Sequence, residues 1–557
     1  METSMVRRKL LDAARVAVAF VPWVLLSCSN DGGSGGTAND GGTSDAVSDA
    51  STAADGTTDN LPDATPMLPD GAVAPSGTRL VPGSITLAGV TKDNYAVYVD
   101  DNSSTFQTLS LAGGAPTTIG SVDDRFAVRG SVVVTWAGSA RVAQLSVWTA
   151  AHGQKILAMS SYASTAAVAV SPDGAQILYF DGVDAARTRG NLFIAKTDGT
   201  SQTVLATSVA LSNTRCAPTL AFGGNAAAVA AFCITPSAPD AGDAEGSDTG
   251  TPDAPTSDAP TADADAPDAA TDGGAFDGAN PDAGSAPMAV VQSYTGATWA
   301  MTTIATKVQP RVAVAPTGTT VLVSAPEGLV AYPITGGAPT LIDTVGGAGT
   351  FTEDGLSVIY TTPDNALKRA TLASPSPITL APTGFSGLRA KSPDEKWLLG
   401  YTVIDTLDDV SDLYLASATA RGTPTTLTAA LTAGLFGSDG FTADSSHAIY
   451  YTGIDAAVGV GTLYATALPG GTPVTLAMNA WLHYAATGSK VVFDDNYDRA
   501  TNTADIRVAH TAQTAPASLI VSLADADFFI AGTKDKVVYA WKYLSGPMSG
   551  LWVTPIP

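Results

Sequence analysis

From about residue 80 onward, short apolar runs alternate with polar turns, a pattern typical of β-strands and not of helices. The clearest unit begins at Ser392 with S-P-D-E-K-W-L-L-G-Y-T and continues from Asp412 with D-L-Y-L-A-S-A-T-A-R-G-T-P-T-T-L-T-A. Turns containing Pro, Asp and Gly separate the runs, and each run is too short for a stable helix. With the strand that precedes its first turn, such a unit predicts a four-stranded antiparallel meander.

The same unit recurs along most of the chain. In its three best copies the turn aspartate lies 20 residues before the aromatic of the third strand, as in Asp173 and Phe193, Asp394 and Tyr414, and Asp444 and Tyr464. Related turns occur near residues 93, 130, 173, 224, 317, 354, 394, 444, 488 and 535. They are 37 to 51 residues apart, except for one gap of 93 that contains residues 236–287. A period in the forties with four strands per unit predicts a β-propeller.

We therefore predict an all-β fold, a single β-propeller of about eight four-stranded blades within a range of 7 to 10. Eight is favoured over ten because the turns at Gly130, Gly224 and Gly488 are weaker copies. The last unit ends near residues 551–553 with no fourth strand of its own. We expect residues 80–87 to supply that strand and close the ring, because an unpaired ring edge would be unstable.

The N-terminus predicts an exported protein. A basic start at residues 7–9 precedes an apolar run at residues 16–26, which is shorter than the roughly 20 residues needed to cross a membrane. The sequence L-L-S-C that ends at Cys28 resembles the lipobox of bacterial lipoproteins. The resemblance implies that residues 1–27 are a signal peptide and that the Cys28 thiol is acylated, for example with palmitate. Several acyl chains suffice for stable membrane anchoring.

Two segments have a composition that cannot form a packed core. Residues 28–78 contain eight acidic residues and residues 236–287 contain twelve, both without Lys or Arg. Both are rich in Gly, Ala, Asp, Thr and Pro, so we expect a disordered tether and a disordered acidic insert. The propeller domain is then residues 79–557, interrupted by the insert. These segments account for -20 of the net charge of -24, and the remainder has no basic patch that would favour nucleic acid.

Cysteine and histidine residues are few. Once Cys28 is assigned to the lipid, Cys216 and Cys233 remain, and in an exported protein they are predicted to form a disulfide. The four histidines, at positions 152, 447, 483 and 510, are not expected to converge, so no metal site is predicted. No cofactor and no catalytic set of residues is predicted either.

The turn aspartates Asp173, Asp354, Asp394 and Asp444 have two interpretations, an acidic ring or structural turn residues. The structural interpretation is favoured, because aspartate in such turns accepts hydrogen bonds from its own backbone.

The sequences S-P-D-G followed by I-L-Y-F, and later L-Y with G-G-x-P-x-x-L, resemble the WD40-like repeats of TolB-type propellers. This resemblance implies a protein-binding or scaffolding module of the bacterial cell envelope, anchored by lipid and facing an envelope protein or the cell wall. It favours a monomer at the outer membrane, on its periplasmic or surface face. The alternative is a propeller-type enzyme, a hydrolase or lyase, with a carboxylate and tyrosine site in the channel.

Overall fold

The computed structural model describes residue 68 and residues 72–557, except residues 139, 185, 187, 212–217, 225–226, 234–288, 310–311, 383–384, 406–409, 433–439, 456–458, 513–516 and 542–547. This described part contains 39 β-strands and one 3-10 turn, at Thr165–Ala167. The predicted signal peptide, Cys28, most of the tether and the acidic insert lie outside the described residues. No helix in the described residues is long and apolar enough to cross a membrane.

The strands group into successive four-stranded antiparallel units, each called a blade here. The first described strand, β1 (Thr78–Pro82), belongs to the last blade. Blade 1 contains β2 (Ile85–Val90), β3 (Tyr95–Asp100), β4 (Thr105–Ser110) and β5 (Thr117–Ser121). Blade 2 contains β6 (Arg125–Arg129), β7 (Val132–Trp136), β8 (Val142–Thr149) and β9 (Gly153–Tyr162). Blade 3 contains β10 (Val168–Val170), β11 (Gln176–Asp181), β12 (Arg189–Lys196) and β13 (Thr203–Ala210).

Blade 4 contains β14 (Thr219–Phe222), β15 (Ala227–Cys233), β16 (Ala289–Thr295) and β17 (Ala300–Val308), so the acidic insert joins its second and third strands. Blade 5 contains β18 (Val312–Val314), β19 (Thr320–Ala325), β20 (Gly328–Pro333) and β21 (Thr340–Asp343). Blade 6 contains β22 (Gly349–Phe351), β23 (Ser357–Thr361), β24 (Leu367–Thr371) and β25 (Ile378–Ala381). Blade 7 contains β26 (Gly387–Lys391), β27 (Trp397–Asp405), β28 (Val410–Ser417) and β29 (Thr425–Thr432).

Blade 8 contains β30 (Gly440–Phe441), β31 (His447–Asp455), β32 (Val460–Ala467) and β33 (Val474–Thr487). Blade 9 contains β34 (Lys490–Asp498), β35 (Thr503–His510) and β36 (Ser518–Asp525), and its first strand is the second half of β33. Blade 10 contains β37 (Phe528–Ile530), β38 (Lys536–Trp541) and β39 (Gly550–Pro555), followed by β1 as the outermost strand.

The blades are arranged as a closed ring, with the first strand of each blade innermost. First strands of neighbouring blades contact one another, as β14 contacts β18 and β26 contacts β30. The first strand of blade 10, β37, contacts β2 of blade 1 and completes the circle. The fold is therefore the predicted all-β propeller. The described residues form ten blades, within the predicted range of 7 to 10 and above the favoured number of about eight.

The blade count follows from the inner turn, the turn between the first and second strands of each blade. Every inner turn contains one residue with φ between 57° and 73°, the left-handed region. These residues are Asn94, Gly130, Gly174, Gly224, Gly318, Gly355, Glu395, Ser445, Gly488 and Lys534. The three units that look weak in the sequence place a glycine there, and glycine needs no hydrogen-bonding side chain to adopt this conformation. Their missing aspartate therefore does not mean a missing blade.

The hydrophobic core lies between blades and not within a single sheet. Val132, Val134 and Trp136 of blade 2 pack against Ile177 and Tyr179 of blade 3, all of them buried. Equivalent clusters occupy the other junctions. A second strand is covered on both faces, which explains the continuous apolar runs in the sequence. Each blade thus depends on both of its neighbours for burial.

Ring closure uses the N-terminal strand. β1 pairs with β39 in antiparallel register, with Thr78 opposite Val553 and Pro82 opposite Gly550. The prediction that the N-terminal segment supplies the missing strand is confirmed, but its position shifts. The pairing strand is Thr78–Pro82, whereas residues 85–87 already belong to the first strand of blade 1. Only Gly83 and Ser84 separate the two strands, so the chain enters the first strand of blade 1 almost directly after β1.

The chain already packs on the ring before β1 begins. Leu68 packs against the apolar cluster between blades 9 and 10. The Val73 carbonyl accepts a hydrogen bond of 3.0 Å from the backbone N–H of Ser522 in the outer strand β36. The Ser76 carbonyl accepts a bond from the hydroxyl of Thr554 in β39. The folded ring therefore includes residues that the sequence analysis assigned to the tether.

Gly77 and Gly113 provide a matched test of this closure. Gly77 has a φ of 97°, and a Cβ there would lie 2.4 Å from the Val553 carbonyl oxygen. Gly113 has a φ of 94°, but a Cβ there would have no atom within 4 Å. Gly113→Ala should cost only the backbone strain, about 1–3 kcal/mol. Gly77→Ala should cost the same strain plus the displacement of β1, and so melt at a distinctly lower temperature by circular dichroism. Equal losses in the two variants would contradict closure by β1.

Candidate functional site

The four turn aspartates lie in the inner turns of blades 3, 6, 7 and 8. Each accepts a hydrogen bond from a backbone N–H two residues further along, as Asp173 Oδ1 does from Ala175 at 3.0 Å and Asp354 Oδ1 from Leu356 at 2.9 Å. Asp394 and Asp444 accept equivalent bonds from Lys396 and Ser446. These carboxylates thus hold their own turns, the structural role that the sequence analysis favoured.

A buried hydroxyl two residues before the aspartate completes each of these turns, and the sequence analysis missed it. Thr352 is 1% exposed, donates to Asp354 Oδ1 at 2.6 Å and accepts from the N–H of Ser357 at 3.0 Å. Ser171 and Ser392 make the same two bonds in their blades. The recurring [S/T]-x-D in the sequence was the available signal. Hydrogen bonds from Thr352 and from the Leu356 N–H hold the pKa of Asp354 below its usual value.

The inner turns also join neighbouring blades to one another. The N–H of Lys92 donates to the Gly130 carbonyl at 2.9 Å, linking blades 1 and 2. The N–H of Asp394 donates to Ser445 Oγ at 2.9 Å, linking blades 7 and 8. The N–H of Gly532 donates to Asn94 Oδ1 at 2.8 Å and links blade 10 to blade 1. These contacts make the inner turns part of the scaffold.

The predicted cysteine sites are only partly covered. Cys28 and Cys216 lie outside the described residues, so the lipidation and the Cys216–Cys233 disulfide stay predictions. Cys233 ends β15, where its backbone lies opposite Ala289 of β16 and Ala210 of β13. The predicted acidic insert begins shortly after it in the sequence, at residue 236.

Three histidines lie apart from one another. His152 follows β8 in blade 2, His447 begins β31 in blade 8 and His510 ends β35 in blade 9. His447 Nδ1 lies 2.8 Å from Ser446 Oγ, and burial lowers its pKa. Within the described residues, no group of three or more His, Cys, Asp or Glu side chains is arranged to hold a metal ion.

The fourth histidine forms a pair with a buried carboxylate at the junction of blades 9 and 10. His483 lies at the start of the inner strand of blade 9, and its Nδ1 is 3.2 Å from Asp494 Oδ2 on β34. The histidine side chain is 20% exposed and the aspartate side chain 0%. Phe528 of blade 10 packs against the imidazole ring, with 4.4 Å between ring centroids. We call these three residues and their surroundings the blade 9–10 seam.

Asp494 occupies a position that is otherwise uncharged. It is the fifth residue of its second strand, counted from the inner turn. In the other nine blades that residue is Val99, Trp136, Phe180, Ala231, Ser324, Thr361, Tyr401, Tyr451 or Ala540. The pair is not evident from the sequence until its histidine and aspartate are aligned to their blade positions. In an alignment of the ten second strands, Asp494 is the one charged residue at this position.

Further polar groups lie beside the seam on the same side of blade 9. Asp525, at the end of β36, is 6% exposed and accepts a 2.9 Å bond from the Asn502 amide. Asn502 in turn accepts a bond of 3.1 Å from the Tyr497 hydroxyl. Asp527, in the link to blade 10, acts electrostatically on His483. The pKa of His483 reflects two opposing effects: burial lowers it, while the bond to Asp494 and the charges of Asp494 and Asp527 raise it, with a net increase.

A second buried carboxylate, between blades 5 and 6, provides a contrast. Asp343 Oδ2 accepts bonds from Lys368 Nζ at 2.9 Å and from the Tyr360 hydroxyl at 2.7 Å. Its Oδ1 accepts a 3.0 Å bond from the Val345 N–H. Burial opposes ionisation of Asp343, but the bonds from Lys368, Val345 and Tyr360 outweigh it and lower the pKa. Both oxygens are satisfied, so this cluster acts as a clamp between the two blades.

Comparison with known proteins finds similarity only at the level of structure. No family model matches the chain, and no curated protein does. It is similar to the tricorn protease, with 11% identity and a TM-score of 0.28 over 87% of this chain and 52% of that one, so it spans about half of that protein's length. It is also similar to a putative TolB from Agrobacterium tumefaciens, with 15% identity and a TM-score of 0.23 over 46% of this chain and 94% of that one.

An oligogalacturonate lyase from Vibrio parahaemolyticus is similar at 12% identity and a TM-score of 0.35, over 70% of this chain and 99% of that one. The similar structures thus include a putative TolB, a protease and a lyase. Similarities this distant assign no activity, and the propeller fold is established by the strand topology.

The role of the buried hydroxyl in the inner turn can be measured at Thr352. Thr352→Val keeps the shape but leaves the Ser357 N–H and Asp354 without their partner, which should cost about 1–3 kcal/mol of unfolding free energy. Thr352→Ser keeps the hydroxyl and should cost clearly less. Denaturant unfolding of both variants is the measurement. A valine variant as stable as the serine variant would show that the hydroxyl does not hold the turn.

Proposed function

We propose that this chain is a lipid-anchored propeller of the bacterial cell envelope that binds or scaffolds a partner protein. The lipobox-like sequence ending at Cys28 supplies the anchor, and the ten-bladed ring supplies the binding surface. The partner is an envelope protein or a cell-wall component, and the propeller acts as a monomer without a cofactor. Ser29 after the acylated cysteine favours the outer membrane.

The observation that carries this proposal is where the N-terminal segment joins the ring. Residues 72–77 run beside β36, the outer strand of blade 9, and β39, the third strand of blade 10, where Val73 bonds to Ser522 and Ser76 to Thr554. The segment from the anchor therefore reaches the propeller at its rim. Both faces of the ring, which carry the connections between strands, are left for a partner while the chain stays attached to the membrane.

The outer strands offer a second kind of contact. Most of them are the terminal strand of their sheet, and several carry well-exposed apolar side chains, including Ile156 (60%), Met159 (69%), Met301 (55%), Ile378 (55%) and Met478 (81%). An extended segment of a partner can add to such an edge through backbone hydrogen bonds. Exposed apolar side chains beside the edge would add affinity and selectivity. This supports a role in protein binding.

The enzyme alternative has one observation in its favour. His483 lies on the innermost strand of its blade and is held by Asp494, an arrangement that can move a proton to or from a substrate. The tyrosines expected in a channel-centred site are less suited than His483 to proton transfer. Tyr179, Tyr360 and Tyr450 are at most 1% exposed, and burial raises the pKa of each, so the phenols keep their protons at neutral pH.

Anchoring is tested by Cys28→Ala in the producing cell. We expect the variant to move from the membrane fraction to the soluble fraction, because the thiol that carries the acyl chains is gone. Cys216→Ala is the matched control and should stay with the membrane. Release of both variants, or of neither, would contradict a lipid attached at Cys28.

Binding is tested by crosslinking in detergent-solubilised envelopes, followed by capture of the full-length lipoprotein. The control is a chain ending at Ser76, which keeps the anchor and tether but lacks the ring. We expect one envelope protein to be enriched by the full chain only, and still to be captured by His483→Gln. Capture of the same proteins by both chains would refute the scaffold. Loss of capture in His483→Gln would place the contact at the seam.

A further inference from the structure

The blade 9–10 seam contains a carboxylate oxygen that nothing in the described residues satisfies. Asp494 Oδ2 faces His483, but Oδ1 is buried and has no hydrogen-bond partner there. Leaving a buried carboxylate oxygen unpaired costs free energy, and the cost is greatest when the group is charged and lacks an opposite charge.

The charges around the pair favour its protonated state. The pair itself comes from β33 and β34, while β35 contributes Ile506 and β37 contributes Phe528, both fully buried and apolar. The end of β36 and the link after it contribute Asp525 and Asp527, which are both acidic. The cation that balances Asp494 within the described seam is therefore His483, and only when its imidazole is protonated.

The Asp343 cluster is a comparable buried carboxylate whose charge balance does not depend on pH in the physiological range. There the carboxylate is balanced by Lys368, which stays charged across the physiological range. In the seam, the balancing cation is a histidine, a side chain whose unperturbed pKa of about 6.5 lies near that range. Loss of the histidine proton leaves Asp494 buried as an unbalanced anion, a costly state.

We propose that the blade 9–10 seam is a proton-operated latch, closed when His483 is protonated and loosened when it is not. The latch is coupled to ring closure, because Leu68 packs against the same apolar cluster and Val73 bonds to Ser522 on the outer strand of blade 9. Opening the seam would therefore release Leu68 and Val73 from blade 9 first, while β1 stays paired to β39 and the remaining junctions keep their own cores. This makes the opening local and not a global unfolding.

The direction of the pH effect follows from the two groups. The folded pKa of His483 lies above its unfolded value of about 6.5. Its stabilising contribution is thus complete below about pH 6.5 and is lost as pH rises through the folded pKa. Burial raises the pKa of Asp494 as well, and this also favours the protonated seam. Both effects make the seam weaker as pH increases.

Hydrogen exchange of the full-length chain between pH 6 and pH 8.5 tests the latch. Exchange in peptides covering residues 72–77 and 482–498 is divided by exchange in residues 132–136 of blade 2, which touch neither the seam nor Asp343, and this cancels the intrinsic effect of pH. For a latch with one proton, this ratio should rise by up to about tenfold per pH unit above about pH 6.5. A ratio that is the same at pH 6 and pH 8.5 would overturn the proposal.

Variants separate the latch from a general effect of pH. His483→Gln keeps a polar contact to Asp494 but cannot titrate, so its ratio should be independent of pH. Asp494→Asn removes the buried charge, and its seam should stay protected at pH 8.5. Asp343→Asn removes the carboxylate of the lysine-balanced clamp and should leave the pH dependence of the seam unchanged. If His483→Gln does not fold, Asp494→Asn and the wild-type profile decide. An unchanged pH dependence in either seam variant would refute the latch.

Discussion

The antiparallel pairing of β1 with β39 is the contact on which the rest of the structure depends. Every other blade is built from consecutive strands, whereas blade 10 takes its outermost strand from the opposite end of the chain. Because the apolar cores lie between blades, an open ring would expose a core on each side of the gap. One short strand, Thr78–Pro82, thus links the burial of ten blades into one cooperative unit.

Much of this architecture was predictable from the sequence because it depends on local patterns. Turn residues such as those at Asp173, Asp394 and Asp444 are set by backbone conformation, and second strands buried on both faces appear as apolar runs. The number of blades was harder to predict. Gly130, Gly224 and Gly488 reach the left-handed conformation without an aspartate, so their turns lack the side-chain signal.

The seam could not be predicted, because it depends on contacts between elements whose alignment the sequence does not show. The inner strand of blade 9 has no turn before it; it is the second half of β33, so the position of His483 in its blade was hidden. Its partner Asp494 becomes conspicuous only when the ten second strands are superimposed. The turn aspartates are the polar groups that recur visibly in the repeats, and they stabilise the scaffold. The pair that could transfer a proton, His483 and Asp494, occurs in one blade.

The shared strand β33 also sets how the ring can deform. Elsewhere the outer strand of one blade passes to the inner strand of the next through a short link, such as the two residues between β36 and β37. Between blades 8 and 9 the 14 residues of β33 form one strand, paired to β32 at one end and to β34 at the other, with a shift in register between Ala480 and Tyr484. Because no loop separates these two blades, they cannot move apart without breaking the pairing of β33 to β32 or to β34. The junction that follows, the seam between blades 9 and 10, is joined by a link and has no such constraint.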